Sequence, residues 1–91
     1  DLGLYEQAIL DFDSYIGLNP NDADAYFNRA YAYDELGLHQ SAIEDLDEAI
    51  RLDPQSADAY HNRGVAYEGI GNAAAAARDF QKAGELRNDP P

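Results

Sequence analysis

The sequence predicts an all-α fold of antiparallel helix pairs stacked on one another. Three observations predict it: the chain repeats itself at an offset of 34 residues, its apolar residues step by three and four, and glycine or proline marks each junction. Ala25–Gly37 and Ala59–Gly71 agree at 7 of 13 positions, and Ala23–Ser56 agrees with Ala57–Pro90 at 13 of 34. Asp1–Pro20 agrees with Glu35–Pro54 at 10 of 20. Gly3, Gly37 and Gly71 keep the interval, as do Ala8, Ala42 and Ala76, Asp11, Asp45 and Asp79, and Leu18, Leu52 and Leu86. One helix pair cannot bury its own apolar face, so stacked copies must present the same contact residues.

The opening stretch, about Leu4 to Leu18, reads as a lone helix of a second type, B. Pro20 ends that unit. Asn21 and Asp22 then supply an N-cap signal for a first-type helix, A, from Ala23 to about Leu36, which Gly37 closes. A B helix follows from about Gln40 to Leu52, with Ala42, Ile43, Leu46, Ala49 and Ile50 at helical spacing, and Asp53-Pro54 stops it. The third unit repeats this: an A helix from Ala57 to about Ile70, a turn at Gly71, and a B helix from Ala73 to about Leu86. The alanine run 73–77 is a good helix start. Five helices result, B, A-B, A-B, in one domain over 1–91: a half repeat (1–20), two full repeats (21–54 and 55–88) and a tail (89–91). Short connections make neighbours antiparallel. Ala8, Ala30, Ala42, Gly64 and Ala76 are small residues placed where helices cross closely.

At this point the sequence resembles the tetratricopeptide repeat (TPR) family. Tyr26, Ala30, Tyr33, Leu36-Gly37, Ala42, Leu46, Ala49 and Pro54 match the family pattern in the first complete unit. Tyr60, Gly64, Tyr67, Gly71, Ala76, Phe80 and Ala83 match in the next, and Ala8, Phe12 and Pro20 in the half unit. Asn88 in place of proline, and Gly84 where Ile16 and Ile50 stand earlier, depart from it and suggest a weaker last helix. The resemblance implies a right-handed superhelix whose concave face is lined mainly by A helices and holds an extended peptide or a partner helix. It also implies an adaptor without catalytic activity.

Asp24, Phe27, Tyr31 and Asp34 share one stripe of the first A helix; Tyr26, Ala30, Tyr33 and Gly37 share the packing stripe. One repeat on, the first stripe becomes Asp58, His61, Val65 and Glu68. By resemblance these eight residues line the groove. They offer four carboxylates, two aromatic rings, a valine and a histidine, so the expected ligand is a basic peptide or protein segment with apolar anchors. Asn28 matches the central asparagine of the clamp with which some TPR proteins grip a chaperone's C-terminal carboxylate. Asp58 stands where that clamp wants lysine and Asn62 where it wants a base, so the two asparagines are expected to bond nearby backbone instead. Arg29 and Arg63 recur with Asp11, Asp45 and Asp79, which predicts a structural ion pair in each unit.

The net charge of −12, from 18 acids against 6 bases, argues against nucleic acid and anionic membrane partners and for cationic ones. Asp (12) outnumbers Glu (6) and Lys82 is the only lysine, a texture suited to high salt. No apolar run approaches the roughly 18 residues of a membrane span, and no signal-peptide pattern is read in the sequence, which starts mid-pattern and leaves an upstream targeting segment open. Without cysteine there are no disulfides or thiolate metal sites, which is compatible with a reducing compartment and leans the expectation toward the cytoplasm. His39 and His61 are the only histidines, and Asp58 and His61 are too few for a specific metal site, so no metal or other cofactor is expected. No phosphate loop, Ca²⁺ loop or nucleophile motif appears. The chain opens without an A helix over its first B helix and ends at Asp89-Pro90-Pro91 without a polar capping helix. The expectation is a stretch of a longer array with apolar surface at both ends. Self-association through those ends is the alternative function to peptide binding.

Overall fold

The computed structural model describes residues 2–88, and among them five helices follow one another. They are α1 (Leu2–Leu18), α2 (Ala23–Glu35), α3 (His39–Leu52), α4 (Ala57–Gly69) and α5 (Ala73–Asn88). Each packs on the next, and α2 also touches α4 across α3. α2 and α4 are the A helices; α1, α3 and α5 are the B helices. The tail expected at 89–91 lies outside the described residues.

The junctions follow from local chemistry. Asp22 caps α2 by accepting the backbone N–H groups of Asp24 and Ala25 at 3.0 and 3.3 Å. Ser56 caps α4 through Ala59 N–H at 3.1 Å, and Asn72 caps α5 through Ala75 N–H at 3.1 Å. Gly37 and Gly71 have φ of +79° and +81°, the left-handed turn that ends each A helix. α5 continues through Gly84 to Asn88, so that glycine does not cut the last helix short.

The core lies between α2, α3 and α4. Ala30, Ala42, Ile43, Leu46, Ala49, Ala59 and Ala66 are buried there, with Tyr26, Phe27, Tyr33, Ile50 and Tyr67 packed against them. So many alanines bring helix backbones close together, and bulky residues plug the remaining gaps. The third unit makes the same contact differently. Ala30 and Leu46 of the second unit become Gly64 and Phe80. A Cβ on Gly64 would stand 2.7 Å from the Phe80 ring, so the larger side chain needs the smaller partner.

The polar frame is built on two arginines. Arg29 Nε and Nη2 donate to the two carboxylate oxygens of Asp45 at 2.8 and 2.7 Å, and Nη1 donates to Asp13 at 2.8 Å. Arg63 repeats this with Asp79 at 2.8 and 2.8 Å and Asp47 at 2.9 Å. Each arginine thus bonds residues 16 positions after and 16 before it, joining its A helix to the B helices on either side. The guanidinium of Arg29 lies 5.8 Å from the rings of both Tyr26 and Tyr33, and that of Arg63 lies 5.4 and 5.9 Å from Tyr60 and Tyr67. The bonded aspartates hold both guanidiniums protonated well above the ordinary range. Asp45 and Asp79 are 6 % and 5 % exposed, the only buried charged residues described. The predicted pair is present in both complete units; among the described residues its third carboxylate, Asp11, meets no arginine and accepts from Gln7 at 3.1 Å.

Removing one partner of such a pair strands a buried charge. Arg63→Met should cost about 3–5 kcal/mol, a large share of the roughly 5–14 kcal/mol expected of a chain this size. Adding Asp79→Leu should recover most of the loss, as urea denaturation of the single and double variants will check. Gly64→Ala should cost about 1–3 kcal/mol and be rescued by Phe80→Leu, which rebuilds the Ala30–Leu46 combination. The Asp22 carboxyl is held below its usual range by the Tyr15 hydroxyl, which donates to it at 2.6 Å, and by the capped N–H groups. A depressed folded-state value gives stability that is present above the unfolded value and lost as pH falls through the folded one. Thermal melts should therefore show an acid-side loss below about pH 4 that is smaller in Asp22→Asn.

Candidate functional site

α2 and α4 stand side by side over α3, and the cleft between them is the candidate site. α3 packs beneath both helices, so the cleft has a floor of Leu46 and Ala49. Two cavities follow one another along it. The first, about 90 Å³, lies between the N-terminal turns and is lined by Asp24, Phe27, Ala49, Asp53, Asp58 and Ala59, among others. The second, about 210 Å³, is lined by Ala30, Tyr31, Asp34, Glu35, Leu46, Asn62 and Val65. Neither lining includes a lysine or arginine, so the cleft pairs an apolar floor with an acidic rim.

Six of the eight sequence-predicted residues line these cavities: Asp24, Phe27 and Asp58 the first, Tyr31, Asp34 and Val65 the second. Their environments differ. Phe27 is half-buried against the core, Tyr31 is half exposed and meets Tyr5 of α1 edge-on at 6.2 Å, and Val65 is exposed. Asp34 is half-buried and bonded to the His39 ring. Asp58 accepts from Arg87 at 3.0 Å, a surface pair of small net worth. Asp24 and Asp58 also sit in the first turns of α2 and α4, where the helix dipole favours a carboxylate. His61 and Glu68 do not line the cavities. His61 leans toward α5, its ring 5.2 Å from that of Phe80, and Glu68 is exposed.

The asparagines differ from expectation. Neither Asn28 nor Asn62 bonds nearby backbone through its side chain; Asn62 lines the second cavity, and Asn28 lines the corresponding cleft one repeat earlier, between α1 and α2. Their recurrence 34 residues apart, beside each arginine, was the signal for a shared cleft position. The Tyr26 hydroxyl donates to the Pro20 carbonyl at 2.9 Å. Among the described residues no group of three or more His, Asp or Glu side chains is placed to hold a metal ion, and no helix is long and apolar enough to cross a membrane.

Comparison with known proteins agrees with this geometry. Sequence profiles of the tetratricopeptide repeat match residues 1–57 and 46–78. No curated protein matches the chain. Among solved structures, a crystal structure of MamA is 37% identical with a TM-score of 0.87, over 91% of this chain and 48% of MamA. The TPR domain of Arabidopsis OM64 is 33% identical with a TM-score of 0.91, over 97% of this chain and 73% of that one. The second TPR of Spaghetti (RPAP3), bound to the HSP90 peptide SRMEEVD, is 32% identical with a TM-score of 0.87, over 90% of this chain and 76% of that one. The chain spans about half the length of the MamA structures it matches. The 34-residue repeat, the five-helix solenoid and these matches together make the chain a member of the tetratricopeptide repeat family.

Proposed function

We propose that this chain is a non-catalytic interaction module that binds an extended basic segment in the cleft between α2 and α4. The observation that carries the reading is the lining of that cleft: carboxylates of Asp24, Asp34, Glu35, Asp53 and Asp58 surround an apolar floor with no basic residue among them. A ligand lysine or arginine can exchange for the weak Arg87–Asp58 contact, while an apolar side chain settles beside Val65 and Tyr31. The HSP90 peptide held by the Spaghetti domains ends in acidic residues, and the acidic rim here favours the opposite charge. Association of copies through both ends has less support. Large apolar side chains are exposed on α1, but α5 exposes none, contrary to the expectation of two apolar ends.

Calorimetric titration of a peptide with alternating arginine and leucine should give binding that weakens as salt rises. Asp24→Asn and Asp58→Asn should each weaken it by about two- to fivefold. Absence of binding at low and moderate salt alike would reject the basic ligand.

A further inference from the structure

One histidine joins the two walls of the cleft between α2 and α4. His39 is the first residue of α3, which packs on α2 and α4 alone. Its Nδ1 bonds the Asp34 carboxylate near the end of α2, and its ring lies against the backbone at Gly69, the last residue of α4. A Cβ on Gly69 would stand 2.6 Å from the ring, so glycine is what leaves room for the imidazole. The arrangement belongs to this cleft: one repeat earlier, Tyr5 stands at the position of His39 and Glu35 at that of Gly69. Asp34 and Glu35 line the larger, 210 Å³ cavity, so the ring sits beside the carboxylates that give that cavity its charge.

The charged neighbours of this imidazole are acidic. α2 brings Asp34 with Glu35 beside it, α4 carries Glu68 next to Gly69, and the nearest charged residue on α3 itself is Glu44. The helix dipole disfavours a cation at the first position of α3, and the Asp34 carboxylate offsets it. The side chains of His39 and Asp34 are 27% and 22% exposed, so water screens the pair only in part. Histidine is the side chain whose charge ordinarily changes between about pH 5 and 8, where Asp, Glu and Arg keep theirs. We propose that His39 sets the charge selectivity of this cleft, an inference that rests on reading the cleft as the site of a basic segment. Neutral, His39 leaves Asp34 and Glu35 to a lysine or arginine of the ligand. Protonated, it takes the Asp34 charge for itself and turns that end of the cleft against a cation. The basic ligand is therefore held more tightly as pH rises through the histidine range and released as it falls.

The probe is an end-blocked peptide alternating arginine and leucine, which does not titrate in this range. Titrated calorimetrically into the full chain at about pH 5.5 and 7.5 and one ionic strength, it should bind about two- to fivefold more tightly at the higher pH. His39→Gln keeps a hydrogen-bond donor but no titrating charge, and should bind equally at both. In the isotope-labelled chain without peptide, the Asp34 side-chain carboxyl resonance should move across the same range, and it should stand still in His39→Gln. Equal affinity at both pH values, or an Asp34 resonance that does not move, would overturn the proposal and leave the basic ligand standing. So would a pH dependence that survives His39→Gln, which would belong to His61. No binding at either pH would reject the basic ligand and the role of His39 with it.

Discussion

Three helices meet at one guanidinium, and the stacking of the solenoid depends on that contact. Helices packed through alanine have little side-chain bulk to set their register; they can slide by a fraction of a turn at small cost. A planar fork that must bond two carboxylate oxygens at once on one neighbour, and a third oxygen on the other, permits no such sliding. Arg29 fixes α2 against α3 and α1, and Arg63 fixes α4 against α5 and α3. The tyrosines on either side of each guanidinium limit its contact with water. Among the described residues no buried side-chain polar atom is left without a partner. The next carboxylate in the series is replaced by Gln81 on α5.

The cleft follows from the same register. With the A helices held at a fixed separation over α3, their outer faces form a cleft rather than a closed seam. Its floor is alanine and leucine because those residues do the packing, and its rim is acidic because each A helix carries carboxylates near its N-terminus and on its free face. The net charge of −12 extends the same field over the whole surface. Arg29 and Arg63 are spent inside the repeat, and most of the acids face outward.

Most of the architecture was legible because the chain writes it more than once. Helix bounds read from glycine, proline and cap residues agree with the structure within about two residues. The Arg–Asp pair was legible because Arg29 and Arg63 recur with Asp45 and Asp79. The third oxygen of each ladder rung was not read, although Asp13 and Asp47 recur at the same interval, because Gln81 breaks the series. The stripe on each A helix was legible from helical period alone, but period does not say which neighbour a side chain will meet. His61 therefore leans on Phe80, and Asn62 enters the cleft in its place. Apolar surface was expected at both ends. They differ because α1 carries leucines and Tyr15 on its open face, whereas α5 exposes alanines and polar residues.

The most direct measurement is amide hydrogen exchange across the whole chain in Arg29→Lys. Lysine keeps the charge but cannot bond both oxygens of Asp45 and reach Asp13 as well. If the fork sets the stacking, protection should fall together in α1, α2 and α3, most of all in α1, which packs on α2 alone, while α5 keeps its protection. Unchanged protection of α1 beside a loss confined to α2 would contradict it, and would mean that apolar packing alone holds the first helix in place.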